Sequence, residues 1–172
     1  MKYFDIFDNN EKRISIYYDE IYENIKKSNP IYPFNGKRGK DFNKKELFDK
    51  KDDNNYWVIL GKNISKSGVI NVANYDKYSQ SKEYVLDKEY VAITQFGINL
   101  KAALVPKDTI PSGGIVIIQH GELSQEEAIN YLNKKEVNEY LQKYILNGAE
   151  LTVHLDGKYL KQIPYTKLIQ EK

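Results

Sequence analysis

Few residues of this sequence have the type and spacing that catalysis requires. His120 and His154 are the only histidines, and neither belongs to an HExxH arrangement. The sequence also lacks a GxSxG nucleophile motif and the glycine-rich GxGxxG and Walker loops that cradle phosphates. Without cysteine it has no thiolate nucleophile, zinc thiolate site or disulfide, which is typical of a reducing cytoplasm. We therefore expect a cytoplasmic protein with no catalytic residue, no metal and no cofactor.

Carboxylates beside lysines leave one enzymatic alternative. A Mg²⁺-dependent nuclease needs an acidic residue followed by an acid-x-Lys at the end of a core strand, to hold the ion and activate water. Neither Asp87-Lys88-Glu89 nor the stretch from Glu46 to Lys51 meets this arrangement. Although the sequence does not show which carboxylates would pair, a small Mg²⁺-dependent restriction endonuclease stays as the alternative to a binding protein.

Positive charge is concentrated in one segment of an otherwise balanced sequence. The 26 Lys and Arg residues against 24 Asp and Glu residues give a net charge of +2, which argues against a histone-like protein. Residues 36–51, however, carry seven positive and three negative side chains, so +4, and the remainder sums to −2. Gly36 and Gly39 within this segment would let the backbone approach a polyanion closely. The predicted contacts to DNA phosphates are Lys37, Arg38, Lys40, Lys44 and Lys45.

Three polar connections carry amide, hydroxyl, phenol and lysine side chains, which are suited to the edges of DNA bases. The predicted base contacts are Asn63, Ser65, Lys66 and Ser67 in the first connection, Tyr75, Lys77 and Gln80 in the second, and Gln95, Asn99 and Lys101 in the third. The same residue types also form ordinary solvated turns. Both interpretations of the connections therefore stay open at the level of sequence.

The elements that must position these residues predict an α+β fold with a bent mixed or antiparallel sheet, a partial barrel. Asp19 is the expected N-cap of a first helix, residues 28–39 read as irregular, and Asn43 is the expected N-cap of a short helix. Short strands are predicted at residues 56–60, 69–72, 84–86, 89–95, 98–105 and 114–119. Polar connectors between many short strands favour a bent sheet over βαβ units.

A pair of helices is predicted after the last of these strands. Ser124 and Glu127 form a capping box that opens the first helix, and the second helix ends at Asn147-Gly148. A strand follows at residues 151–155 and a packed turn at residues 159–163. The amphipathic helices within residues 124–146 also leave open a third interpretation, a protein–protein adaptor with an incidental basic segment. No apolar run approaches the roughly 20 residues that span a bilayer, so no membrane partner is expected.

A set of motifs runs in a fixed order along the chain. Residues 38–42 read Arg-Gly-Lys-Asp-Phe, an aromatic-led strand begins at Tyr56, and a strand region at residues 84–97 ends in glycine. Residues 159–164 close the set as Tyr-Leu-Lys-Gln-Ile-Pro, after the helices. In this order the chain resembles the target recognition domains of DNA restriction–modification systems. The nearest similarity is to type I specificity subunits, with a related one to the specificity domains of TaqI-type adenine methyltransferases.

The resemblance implies a DNA target recognition domain at residues 36–172, with residues 1–35 as a strand-helix extension packed on it. The family implies loops that enter the major groove of double-stranded DNA, while a methyltransferase or endonuclease subunit or domain carries out the chemistry. The chain departs from the family where Lys88-Glu89 replaces a common Gly-Asp, and it has no second recognition domain or long heptad helix. The expected function is sequence-specific DNA recognition without catalytic activity of its own.

Overall fold

A four-stranded antiparallel sheet forms the centre of the fold. The computed structural model describes residues 7–8, 13–14, 19–65, 68–72, 76–97, 99–146 and 153–170. Numbered in chain order along the sequence, the strands of this sheet lie in the order β3 (Asn35–Arg38), β10 (Ile115–Gln119), β6 (Tyr90–Thr94) and β8 (Ala102–Val105). Ile117 lies opposite Lys37 on one side and opposite Ala92 on the other. The basic strand β3 is therefore an edge strand of the central sheet.

The two faces of the central sheet pack against different layers, because successive side chains of a strand alternate between faces. One face packs against helices and belongs to the larger core, which includes Val91, Ile93, Val116 and Ile118. The opposite face packs against a second sheet and forms a smaller core, which includes Ala92, Ala103, Val105 and Ile115. Burial on both faces explains why β6 and β10 read as continuous apolar runs in the sequence.

The second sheet is mixed. Its central strand β4 (Tyr56–Ile59) pairs antiparallel with β5 (Tyr78–Ser79) and parallel with β9 (Thr109–Pro111). Two short strand pairs lie outside these sheets, β1 (Phe7–Asp8) with β2 (Arg13–Ile14) and β7 (Phe96–Gly97) with β11 (Val153–His154). The predicted α+β fold with antiparallel and mixed sheets is confirmed, and the sheets do not close into a barrel over the described residues.

Helices cover one face of the central sheet. They are α1 (Glu20–Lys27), α2 (Gln125–Leu132), α3 (Lys135–Tyr140), α4 (Gly157–Leu160) and α5 (Lys167–Gln170), and α3 continues as a π-helical turn (Leu141–Ile145). The predicted caps at Asp19 and Asn43 and the capping box of Ser124 and Glu127 are confirmed. None of the helices in the described residues is long and apolar enough to cross a membrane.

The helix α1 joins the larger core through aromatic contacts. Tyr22 and Ile25 are buried, and the Tyr22 ring lies 5.3 Å from the Tyr144 ring between centroids. The Tyr140 ring stacks with the Tyr22 ring, and their centroids lie 6.4 Å apart. The helix α1, which precedes β3 in the sequence, thus packs into the same larger core as the helices that follow β10.

Several predicted elements differ from the structure. Residues 28–39 are not irregular throughout, since residues 35–38 form β3, and residues 69–72 and 84–86 are not strands. Residues 82–84 form a 3₁₀ turn (Lys82–Tyr84), and Ile70 alone makes a β-bridge in its segment, to Ile64. The predicted C-cap at Asn147-Gly148 lies outside the described residues. So do the first residue of the strand predicted at residues 98–105 and the first two of the strand predicted at residues 151–155.

Candidate nucleic-acid interface

The glycines of the basic segment serve backbone packing. A Cβ atom on Gly36 would clash with Leu160 Cδ1, because α4 packs directly against β3, and it would lie 2.6 Å from Val116 Cγ1 on the neighbouring strand β10. Gly39 lies against the backbone of Pro111 and Ser112, and its N–H donates to the carbonyl of Ile115 at 2.9 Å. Both positions therefore require glycine for contacts inside the protein, whether or not a polyanion approaches them.

Arg38 is the centre of a local ion-pair motif. Its Nε donates to the carbonyl of Gly113 at 2.8 Å, and its Nη2 donates to Asp41 Oδ1 at 2.8 Å. Because side chains alternate along β3, Arg38 and its neighbour Lys37 project toward opposite faces of the central sheet. The planar guanidinium uses its fixed donor geometry to tie β3 to the connection between β9 and β10. The Arg-Gly-x-Asp motif thus stabilises the fold.

The remaining basic residues of the segment divide into paired and exposed side chains. Lys40 Nζ lies 2.7 Å from Glu46 Oε1, and this hydrogen bond raises the pKa of Lys40 and lowers that of Glu46. Lys44 and Lys45 are exposed on a 3₁₀ turn (Lys44–Glu46). Among the described residues, Lys37, Lys44 and Lys45 form no ion pair. Of the five predicted phosphate contacts, these three are thus available to a ligand without breaking a salt bridge.

Two of the predicted base contacts hold the protein backbone. Asn63 is fully buried, its Oδ1 accepts from the N–H of Leu60 at 2.8 Å, and it closes a 3₁₀ turn (Gly61–Asn63). The Ser65 hydroxyl donates to the carbonyl of Val69 at 2.6 Å. Gln95, another predicted base contact, is only 1% exposed. Asn63 and Gln95 are therefore not exposed at the protein surface.

The second polar connection is linked to its neighbours by ion pairs. Lys77 pairs with Asp49 at the end of the basic segment, and Lys62 Nζ lies 2.6 Å from Asp76 Oδ2. The Asp49 hydrogen bond raises the pKa of Lys77, and the Lys62 hydrogen bond lowers the pKa of Asp76. Gln80 is exposed after β5. These pairs connect residues 76–77 with both the basic segment and the turn that begins at Gly61.

The third connection meets the first at a cleft of about 430 Å³, which we call the loop cleft. The exposed side chains of Asn99 and Phe96 and the half-buried Lys101 line it. The full lining is Gly61, Thr94, Phe96, Gly97, Asn99, Lys101 and Gly114. The three glycines leave the backbone open to a ligand, and Asn99 and Lys101, two of the predicted base contacts, line the same cleft.

A short connection between β9 and β10 lies at the centre of these features. Ser112 N–H donates to the carbonyl of Ile59 at 2.9 Å, and Gly113 N–H donates to that of Lys40 at 2.7 Å. Gln95 N–H donates to the carbonyl of Gly114 at 2.8 Å. Since Arg38 binds Gly113 and Gly114 lines the loop cleft, this junction (residues 111–114) brings the basic segment next to the first and third polar connections.

The sequence interpretation missed exposed aromatic residues. Tyr84 is 44% exposed and Phe96 is 48% exposed. Tyr84 was assigned to a strand, although the Asp87-Lys88 pair that follows is typical of a nearby turn. Lys66, Ser67 and Tyr75, which were predicted to contact bases, lie outside the described residues.

His120 lies in a turn, bonded to the backbone. His120 Nδ1 lies 2.5 Å from the carbonyl oxygen of Leu123, within the turn that precedes α2. No group of three or more His, Asp and Glu side chains within the described residues is placed to hold a metal ion. Comparison with known protein families and with curated proteins finds no match to this chain.

Proposed function

We propose that this chain is a sequence-specific double-stranded DNA recognition domain of the restriction–modification kind, which directs a methyltransferase or endonuclease partner. The observation that carries the proposal is the junction at residues 111–114. There Arg38 and Lys40 of the basic segment bind the backbone of residues 111–114, while Gly61, Gly97, Asn99 and Lys101 meet Gly114 at the loop cleft.

The exposed side chains of the basic segment and of the loop cleft divide by chemistry. Lys37, Lys44 and Lys45 supply positive charge for phosphates, which fixes the position of a protein on DNA without reading sequence. Asn99 and Lys101 carry the donors and acceptors that contact base edges in a groove. Because Arg38 and Lys40 already serve the fold, the phosphate contacts rest on the three exposed lysines, and Asn99 and Lys101 read the bases.

The test neutralises the exposed lysines and leaves the ion-paired ones in place. The triple variant Lys37→Gln, Lys44→Gln, Lys45→Gln is compared with wild type in mobility-shift titrations at several salt concentrations. The probes are duplexes selected from a random pool by the wild-type chain, alone or with a cognate methyltransferase subunit. Each lost phosphate contact should lower the steepness of log K against log salt by about 0.9. We expect the triple variant to bind DNA at least tenfold more weakly.

The matched control neutralises exposed lysines on the opposite layer, with Lys158→Gln, Lys161→Gln and Lys167→Gln on or beside α4 and α5. It carries the same loss of charge and should keep most of the affinity and its dependence on salt. Asn99→Ala should relax base selectivity and leave the salt dependence unchanged. The proposal is wrong if wild type selects no duplex with the partner present, or if both triple variants lose affinity equally. Incubating plasmid with Mg²⁺ and the chain should leave it intact, whereas cleavage would favour the endonuclease alternative.

A further inference from the structure

A second cleft lies on the part of the central sheet that the second sheet leaves open. Ala92, Ala103 and Ile115 are covered, but the same face continues past Ile117 to Lys37 on β3 and along β6 to Tyr90. The space there is about 410 Å³. We call it the β3 cleft. It lies between β3, the 3₁₀ turn that ends at Tyr84, residues 85–87 and the adjoining ends of β6 and β10.

The β3 cleft has an apolar floor and aromatic walls. Leu86 and Ile117 are partly buried against the smaller core and form the floor. Lys40 Nζ lies 4.9 Å from the centroid of the Tyr84 ring and restricts it from outside. The Tyr90 hydroxyl donates to Asp87 Oδ1 at 2.9 Å, which fixes the second ring. Two held aromatic rings above an apolar floor suit a flat aromatic ligand.

The rim of the β3 cleft supplies hydrogen-bonding groups at one end. Asn35 and Gln119 are directly opposite each other on β3 and β10, and Asn35 Nδ2 donates to Gln119 Oε1 at 3.5 Å. Asn35 Oδ1 accepts from the N–H of Gly36 at 2.9 Å. Gln119 keeps its Nε2 donor and the second lone pair of Oε1 for a ligand, and an amide donor beside an amide acceptor is the arrangement that recognises adenine. Lys37 is exposed on the same face, two residues from Asn35, where its ammonium can hold a phosphate.

The charges around the cleft limit the ligand further. Glu83 and Asp87 line the cleft together with Lys37 and Arg38, so its lining has as many negative as positive side chains. A polyphosphate would meet two carboxylates, whereas one phosphate at Lys37 is compensated. The carboxylates also accept hydrogen bonds from an exocyclic amino group, which adenine has.

We propose that the β3 cleft binds a single unstacked adenine base with its 5′ phosphate, the base packing against Tyr84 and Tyr90 and the phosphate meeting Lys37. A free adenosine monophosphate and an unpaired adenine in a DNA strand present this same chemistry. With DNA as the source, the inference rests on the proposed function and adds recognition of an unpaired base to it. With the free nucleotide as the source, it stands independently.

The experiment titrates the isotope-labelled full chain with adenosine monophosphate and, separately, with a single-stranded thymine oligonucleotide that contains one adenine. The side-chain amide resonances of Asn35 and Gln119 report the site. We expect these resonances to shift saturably, and Tyr84→Ala to weaken binding about tenfold, the size of effect that loss of base–aromatic stacking produces. Tyr32→Ala is the matched control, because Tyr32 is also exposed, carries Lys26 Nζ at 5.9 Å from its ring, and does not line the cleft.

Saturation by the monophosphate supports the free nucleotide as ligand, and saturation by the oligonucleotide alone supports an unpaired base in DNA. The inference is overturned if neither ligand shifts the two amides, or if Tyr84→Ala and Tyr32→Ala weaken binding equally. Circular dichroism of each variant checks its folding. Binding of fully paired duplex should be unaffected by Tyr84→Ala, so failure of the β3 cleft and failure of the proposed function give different results.

Discussion

Two asparagine side chains bind backbone groups at the start of β8 and just before it, where this second edge strand of the central sheet begins. Asn133, which follows α2, accepts from the N–H of Ala102 at 2.9 Å and donates to its carbonyl at 2.8 Å. Asn138 on α3 accepts from the N–H of Leu100 at 2.9 Å. The amides thus satisfy backbone groups that an edge strand leaves without partners, and they do so from the helical layer.

Replacing Asn138 with Ala should lower the free energy of unfolding by about 2–3 kcal/mol, since it removes several hydrogen bonds at a buried position. The Asn138 amide also donates to the carbonyls of Leu132 and Lys134, and the residue is only 7% exposed. Urea denaturation followed by circular dichroism measures the change. Asn130→Ala, on the exposed side of α2, is the control and should stay within about 0.5 kcal/mol of wild type. Equal losses in both variants would contradict the role given to Asn138.

At the scale of elements, α4 depends on glycine at its contact with β3. The chain of β3 and the start of α4 approach so closely that a Cβ atom on Gly157 would lie 2.5 Å from the carbonyl oxygen of Gly36. Leu160, on the same short helix, is fully buried in the larger core. The helix thus packs by its backbone at one end and by an apolar side chain at the other.

Gly157→Ala should therefore destabilise the protein by about 1–3 kcal/mol, as overpacking does, even though alanine is the better helix former. Gly61→Ala is the matched substitution, since its Cβ atom would lie 3.7 Å from the nearest atom, Gly114 O, at an ordinary contact distance. Thermal unfolding measures both variants. A Gly157→Ala protein as stable as wild type would show that α4 can move away from β3 without cost.

Local signals predicted the elements whose hydrogen bonds are local. Asp19 accepts from the N–H of Tyr22 at 3.1 Å, and Ser124 Oγ accepts from the N–H of Glu127 at 3.1 Å, so both caps are readable from a few adjacent residues. The strand β3 was missed because the prolines and glycines of residues 28–39 suggested a loop, whereas its pairing depends on residues 116–119, far along the chain. The strand predicted at residues 84–86 is wrong for the converse reason. They contain strand-forming residues, but the N–H groups of Tyr84 and Val85 bond locally to Ser81 and Lys82, and only Leu86 bonds to a distant segment, at Asp108 and Thr109.

For the candidate interface, the sequence indicates the residue types but not which side chains are exposed. Lys37, Lys44, Lys45, Asn99 and Lys101 have exposed or half-exposed side chains, as a surface site requires. The interpretation that Asn63 and Gln95 contact bases is not supported by their burial, because side-chain amides serve buried turns as readily as they serve ligands. The sequence alone does not distinguish these two uses, since burial depends on how the two sheets pack.

At the scale of the whole molecule, one ion pair connects the first and last parts of the larger core. Asp19, the N-cap of α1, accepts from Lys143 Nζ at 2.6 Å and from the Tyr144 hydroxyl at 2.8 Å. Partial burial raises the pKa of Asp19, but the hydrogen bonds from Lys143, Tyr22 and Tyr144 outweigh it, and the pKa of the carboxyl lies below its usual value. The ionised form is therefore the one that stabilises the folded chain.

Because the pKa of Asp19 is lowered by folding, its contribution is present above the unfolded-state value of about 3.9 and is lost as the pH falls through the folded value. Asp19→Asn keeps a capping acceptor and removes the charge, so it should be less stable than wild type by about 1 kcal/mol at pH 7. Urea denaturation at pH 7, 5 and 3 should show this difference shrinking at the lowest pH. Asp156→Asn is the control, because Asp156 precedes α4 without a side-chain cap bond. A difference that grows toward pH 3 would contradict the assignment.

Strand pairs between distant parts of the chain affect how fast the protein can fold. The strand β3 pairs with β10 through Lys37 and Ile117, and β4 pairs with β9 through Trp57 and Thr109, so both edges of the junction join distant parts of the chain. Closing such long loops costs entropy before their contacts form, which slows folding. During synthesis β3 emerges long before its partner strand. Until β10 follows, the basic segment has neither its sheet neighbour nor its contacts at residues 111–114, so neither cleft is complete before Gly114 and Gln119 have been made.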